Sequence, residues 1–209
     1  MNSTNFYKTK LCNRKRKEFL YEYSALFSNA FFNDPLYVNA ISSENERRKI
    51  LPALFKSTIY YGLLFGKTHI IRSKGIAVWL SPGEQSITMK RAFQAGMFKA
   101  PFEVGIPALF KLAHFSSSSE KMHKIFAPDP HWYLFLLAVD PIRQGLGFGG
   151  KLIKPVLDLA DQQDLPCYLD TCNPEAVIFY QKHGFRVVSE ERTSISDFSF
   201  WGLRRDAIT

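Results

Sequence analysis

The chain has 209 residues, with 46% hydrophobic and 15% aromatic side chains, enough apolar matter for a sizeable core and too much for a disordered chain. Its three cysteines, Cys12, Cys167 and Cys172, are too few and too poorly spaced for a disulfide framework or a zinc site, and are expected to be reduced thiols of a cytoplasmic protein. A net charge of +8 allows for nucleic acid, an anionic surface or a polyanionic cofactor, but "RKRK" at 14–17 is the one dense basic cluster and no nucleic-acid motif accompanies it.

The basic N-terminus lacks the apolar stretch of a secretory signal, and no uninterrupted apolar run of about 18 residues suggests a membrane span. Residues 15–32 carry Phe19, Leu20, Tyr23, Leu26, Phe27 and Ala30 at helical spacing, and "NDP" at 33–35 ends that helix. A second helix starts at Ser42 or Ser43, runs to Gly66 and is kinked or restarted by Pro52. "THIIRSKGIAVWLSPG" reads as two short strands turning near Ser73, Lys74 and Gly75. Residues 85–126 are mostly helical, with breaks at Pro101 and Pro107 and a separate short helix "SEKMHKIF" opening at Ser119.

From residue 131 the pattern sharpens. "HWYLFLLAVD" is apolar on both faces, as in a central, covered strand. A glycine-rich loop, "RQGLGFGGKL", follows, and "KLIKPVLDLADQQD" is an amphipathic helix with Pro155 in its early part. "LPCYLDTC" is the next strand, on which Cys167 and Cys172, five apart, should face opposite ways. Asn173 caps a further helix with Pro174 at its first position and Gly184 just past its end. "FRVVSEE" and "DFSFWGLRRD" close the chain as a strand pair.

The glycine loop has the form of a phosphate cradle, and three readings compete for it. Gly145-x-Gly147-x-x-Gly150 matches a dinucleotide fingerprint, and Asp170 stands at a suitable distance downstream. However, "PIRQ" separates the strand from the first glycine, and the helix-rich stretch before the loop shows no run of βα units. Gly145-x4-Gly150-Lys151 approaches a P-loop, but Leu152 stands where a Ser or Thr hydroxyl must hold magnesium. The third reading, Gln144-x-x-Gly147-x-Gly149, needs a strand, a short turn and a helix whose first backbone N–H groups and dipole face an anion. Four glycines exceed what a plain strand-to-helix turn requires.

That last pattern, joined with "NPEAVIFYQKHGF" downstream, resembles the GNAT (Gcn5-related N-acetyltransferase) superfamily, and in detail its puromycin N-acetyltransferase-like branch. The resemblance is strong over 131–189 and weaker in "SNAFFNDP" (28–35) and "GIAVWLSPGE" (75–84). It implies an α/β fold, with a mixed, mostly antiparallel twisted sheet flanked by helices and splayed at its strands 4 and 5. It implies one domain over 1–209, with an acetyl-CoA-binding core at 131–189 and acceptor-side helices and first strands at 15–126. The implied cosubstrate is acetyl-CoA, with no metal. Leu137, Ala138 and Val139 would meet its pantetheine arm through main-chain atoms, with Asn173 nearby. Gln144, Gly145, Gly147, Phe148, Gly149 and Gly150 would hold its pyrophosphate. Tyr180 would stand near the thiol as the catalytic residue.

The chemistry of amine acetylation agrees with those residue types. A tyrosine hydroxyl can give a proton to a departing thiolate. Asn173 and Tyr180, seven residues apart, lie on one helix face, and a backbone N–H near Val139 could polarise a thioester carbonyl. Asp170, His131 and Glu22 remain open as the general base, and His183 reads as a helix C-terminal partner. Phe31, Phe32, Tyr37, Tyr60 and Tyr61 either line an acceptor pocket or belong to the core. The expected partners are acetyl-CoA and an amine, without nucleic acid or membrane, in a monomer or homodimer. A non-catalytic acyl-CoA-binding module of the same fold is the alternative.

Overall fold

The computed structural model describes residues 13–84, 87–99, 104–192 and 198–208. Cys12 lies outside them. Helix α1 (Asn13–Ala30) is followed by a short α2 (Pro35–Ala40) and a long α3 (Glu44–Phe65), whose Ser43 cap accepts a hydrogen bond from Glu46 N. Strands β1 (Gly66–Ile71) and β2 (Gly75–Leu80) form the hairpin expected around Ser73, which adopts the left-handed conformation. Then come α4 (Met89–Gln94), α5 (Ile106–Phe126), β3 (Trp132–Val139), α6 (Phe148–Gln162), β4 (Cys167–Thr171), α7 (Pro174–Gln181), β5 (Arg186–Arg192) and β6 (Ser199–Arg205).

The strands form one six-stranded sheet in the order β1-β2-β3-β4-β6-β5. Neighbours are antiparallel except β3 and β4, which are parallel and pair only at Trp132 with Cys167 and Tyr133 with Tyr168. Past that point the two strands part. This is the expected splayed pair, standing third and fourth in chain order among the described strands. A register shift in the β2–β3 ladder adds to the divergence: Val78 faces Leu136 and Trp79 faces Leu134, leaving Phe135 as the extra residue of a bulge.

Each face of the sheet has its own core. Ile76 and Val78 of β2 pack with Phe27, Leu51, Phe55 and Ile59 of α1 and α3. Ala77 and Trp79, pointing the other way, pack with Leu152, Ile153 and Val156 of α6. Cys167 belongs to the α6 side, whereas Cys172 packs with Met122 and Phe200, so the two thiols occupy opposite faces as their spacing requires.

Three sequence expectations are corrected. "NDP" does more than end α1: Asp34 accepts the Leu36 N–H at 3.0 Å and starts α2. The short helix expected from Ser119 is the last part of α5, which runs unbroken through the four serines; Pro107 sits in its first turn rather than breaking it. Phe115, Ser119, Met122 and Phe126 recur on the face turned to Phe200, and that packing outweighs the weak helix propensity of serine. Helix α3 also runs through Pro52 without a restart. Among the described residues no helix is long and apolar enough to cross a membrane.

Phe27 is fully buried, with its ring 5.3 Å from that of Phe55 and 5.8 Å from that of Phe31. Phe27→Ala should therefore cost about 3–5 kcal/mol in denaturant unfolding, with an unchanged slope.

Candidate active site

Where β3 leaves β4, a cleft of about 1350 Å³ opens between the strand ends, α2, α5 and the loop before α6. From Leu134 to Val139 the β3 backbone has no strand partner on the β4 side. The residues that the resemblance implies for the cosubstrate and for catalysis all line this one cleft: Leu137, Ala138, Val139, Gln144, Gly145, Gly147, Phe148, Gly149, Gly150, Asn173 and Tyr180.

The four loop glycines divide into two kinds. Gly145 and Gly147 have φ of +76° and +77°, a conformation that side-chain-bearing residues resist, with open space where a Cβ would stand. Gly149 and Gly150 are ordinary helical residues pressed against α7. A Cβ on Gly149 would lie 3.0 Å from the Phe179 ring, and one on Gly150 2.6 Å from His183 Nε2. His183 is fixed there by a hydrogen bond from its Nδ1 to Phe179 O at 2.8 Å, the expected helix C-terminal role. Helix α6 has no side-chain cap, and the first of its N–H groups with a helix partner is that of Lys151, bonded to Gly147 O at 3.2 Å. Those of Phe148, Gly149 and Gly150 point outward at the positive end of the helix. Lys74 and Lys151 stand over the Phe148 ring at 4.6 and 5.5 Å, and Arg143 lines the same end of the cleft. Gln144 Nε2 donates to Val139 O at 3.3 Å, tying the loop to the end of β3.

Across the cleft, Asn173 Oδ1 caps α7 by accepting the Glu175 N–H at 2.8 Å. Tyr180, on the same helix, is buried, and no described residue hydrogen-bonds its hydroxyl. Burial alone raises its pKa, so it is a phenol at neutral pH.

The floor is a polar cluster that sequence inspection saw only in part. Asp170 accepts hydrogen bonds from Tyr168 at 3.0 Å, Tyr133 at 3.1 Å and Ser119. Burial raises its pKa to about 6 despite them. His131 Nδ1 lies 2.6 Å from Asp129 O, and a carbonyl can only accept, so this nitrogen carries the proton. His131 Nε2 is then the acceptor in its 2.6 Å contact with His123 Nε2. Burial lowers both imidazole pKa values, that of His123 to about 4, and keeps the pair neutral. His123, missed in the sequence, lies on α5 and stacks on Tyr168 at 4.6 Å.

These contacts sort the three general-base candidates. Glu22 is exposed on α1 and does not line the cleft. His131 has both nitrogens engaged, and so has Asp170 both oxygens. A further carboxylate, Asp34, faces the cleft, with its pKa raised to about 6 by burial. The signal for it was present, an Asp–Pro helix start of the same kind as Asn173–Pro174. The five open aromatics divide: Phe31 and Tyr37 line the cleft, whereas Phe32 and Tyr60 pack against the core and Tyr61 is fully buried.

Comparison with known proteins agrees with this geometry. Residues 113–185, from α5 through α7, match the acetyltransferase (GNAT) family. An uncharacterised N-acetyltransferase of Schizosaccharomyces pombe is 26% identical over 169 residues, 78% of this chain and 68% of the relative. Among solved structures, a histone acetyltransferase HPA2-related protein of Corynebacterium glutamicum superposes with a TM-score of 0.60 at 17% identity, covering 95% of this chain and 94% of that one. Arylalkylamine N-acetyltransferase 2 of Aedes aegypti superposes with a TM-score of 0.56 at 15% identity, covering 99% and 100%. Residues 113–185 thus carry the signature of the acetyltransferase (GNAT) family, and the chain as a whole has the fold of these acetyltransferases. These matches do not distinguish the puromycin N-acetyltransferase-like branch from others.

The buried Asp170 carboxylate sets a pH test of the site. A raised folded pKa means that the fold prefers the protonated acid. The penalty for the charge is therefore complete above about pH 6 and relieved as pH falls toward 3.8. Asp170→Asn removes that titration. Its stability relative to wild type should rise by about 2 kcal/mol between pH 4 and pH 6 and level off by about pH 7, as followed by chemical denaturation.

Proposed function

We propose that this protein is an N-acetyltransferase that takes its acetyl group from acetyl-CoA and passes it directly to a primary amine, with both substrates bound at once. The observation that carries the reading is the meeting, in one cleft, of the unpaired β3 edge and the uncapped start of α6. Acetyl-CoA supplies the activated thioester. The β3 main chain at Leu137, Ala138 and Val139 matches a pantetheine arm, which also carries amides, as an added strand edge. The N–H groups of Gly145, Gly147, Phe148, Gly149 and Gly150 suit the pyrophosphate, with Gln144 bracing the loop and Lys74, Lys151 and Arg143 supplying charge. Asn173 serves as helix cap and has its amide NH2 left for the arm. On this reading 131–189 is the cofactor half of one domain and 15–126 the acceptor half.

The cleft is larger than the roughly 300–1,000 Å³ typical for one small ligand, which favours a ternary complex. Tyr180 holds its proton until a thiolate needs it. The thiol of Cys172, also in the cleft, is unsuited to carry the acetyl group. Burial, with Asp34 and Asp170 beside it, raises its pKa and keeps it protonated.

Thermal unfolding with acetyl-CoA, CoA, NAD and ATP–magnesium tests the loop. Acetyl-CoA and CoA at about 100 times Kd should each add roughly 2.7 kcal/mol, and NAD and ATP nothing. A shift with NAD or ATP alone would overturn the reading. Tyr180→Phe should lower kcat by about 100-fold or more with CoA affinity unchanged, which separates an enzyme from a binding module. Cys172→Ala should keep turning over, and mass spectrometry of wild type with acetyl-CoA should show no acetyl-enzyme.

A further inference from the structure

The acceptor arm of the cleft has a chemistry of its own. Its wall includes Phe31, Tyr37, Leu54, Leu112, Phe115 and Phe135, from the turn after α1 and from α2, α3, α5 and the β3 bulge. Phe31 and Tyr37 meet edge to face with ring centres 6.1 Å apart, and both rings pack on Phe55, so this side of the wall is rigid.

The charges in the cleft are lopsided. Although the chain carries +8 overall, the lysines and arginines lining the cleft among the described residues are Lys124 and Arg143. Lys124 pairs with Glu120 at 2.7 Å, and Arg143 belongs to the glycine-loop end. Against them stand Asp34, Asp129, Asp170 and Glu175 as well as Glu120. An anionic acceptor would meet no unpaired cation in this arm, whereas a cationic one meets carboxylates.

Of these, Asp34 is placed to receive it. Its Oδ1 is occupied by the Leu36 N–H at 3.0 Å, and no described residue hydrogen-bonds its Oδ2. Asp170, by contrast, has both oxygens taken by tyrosine hydroxyls. Asp34 and Asp170 both act on Cys172, which follows β4 directly, so Asp34 stands at the β4 end of the cleft beside the start of the helix that bears Tyr180. A carboxylate with one open oxygen, set in an aromatic wall, matches an ammonium attached to an apolar body.

Resting on the acetyl-transfer reading, we infer that the acceptor is a small monoamine with an aromatic or branched apolar body, whose ammonium docks on Asp34 and whose body lies against the Phe31–Tyr37 wall, and that an added carboxylate on the substrate is rejected. Asp34 is thus a specificity-determining residue: its contact orders the ammonium, which gives up a proton to water before the neutral amine attacks.

The test compares 2-phenylethylamine with phenylalanine, which adds only an α-carboxylate, in wild type, Asp34→Asn and Asp34→Glu. Asparagine is an equally good helix cap, so Asp34→Asn should leave α2 in place. Wild type should favour 2-phenylethylamine by about 100-fold in kcat/KM, because the extra anion would meet Asp34 and its neighbours. Asp34→Asn should raise the KM for 2-phenylethylamine at least about tenfold and shrink the preference below tenfold, with CoA affinity unchanged; Asp34→Glu should restore part of the preference. Equal use of the two amines by wild type, or an unchanged preference in Asp34→Asn, overturns the assignment while acetyl transfer stands. Failure of wild type to bind acetyl-CoA, or to acetylate any amine in a wider panel, overturns the acetyl-transfer reading and this assignment with it.

Discussion

Two residue pairs of parallel ladder join β3 to β4, and the cleft follows from where that ladder stops. A parallel pair that continued would spend the β3 backbone on β4 and leave nothing for a ligand. Two features limit the pairing. The bulge at Phe135 turns β3 while it stays locked to β2, and β4 is held on its other side by five pairs to β6. Each strand is thus anchored by its outer neighbour, and the gap between them opens without either strand losing its place.

The same divergence decides which side chains become functional. β3 was legible as apolar on both faces, yet several of its residues are only half-buried, because they face the open cleft rather than a neighbouring layer. Asp170, near the end of β4, would be an expensive buried charge in a closed sheet. Here three hydroxyls from β3, β4 and α5 satisfy it. The neutral His123–His131 pair completes a floor that is polar without carrying positive charge. The loop end differs. There the backbone does the work, and each glycine is required either by its dihedral angles or by the close approach of α7.

Electrostatically the cleft has two ends. Lys74, Arg143 and Lys151 gather at the uncapped helix start, while carboxylates and aromatic rings occupy the opposite arm. The overall charge of +8 says little about either, because partner recognition is set by what each wall presents in a low-dielectric recess. Asp34 illustrates the point. In the chain it is one acid after Asn33 and before a proline, and its role depends on α1, α3 and α5 surrounding it.

The sequence by itself determined the elements around the loop, since periodicity, an Asn–Pro helix start and a glycine cluster are local signals whose physics acts within a few residues. Gly145 and Gly147 need their backbone conformation whatever surrounds them, and Asn173 caps its helix through its own side chain. Only the tertiary structure decided the rest. It carried α5 across four serines by packing, set Glu22 aside on an exposed face, divided the aromatics between core and cleft, and brought Asp34, His123 and Asp170 to one cavity from distant parts of the chain. Burial, hydrogen-bond occupancy and pKa are properties of a residue's neighbours in space, and those neighbours are not written in its neighbours along the chain.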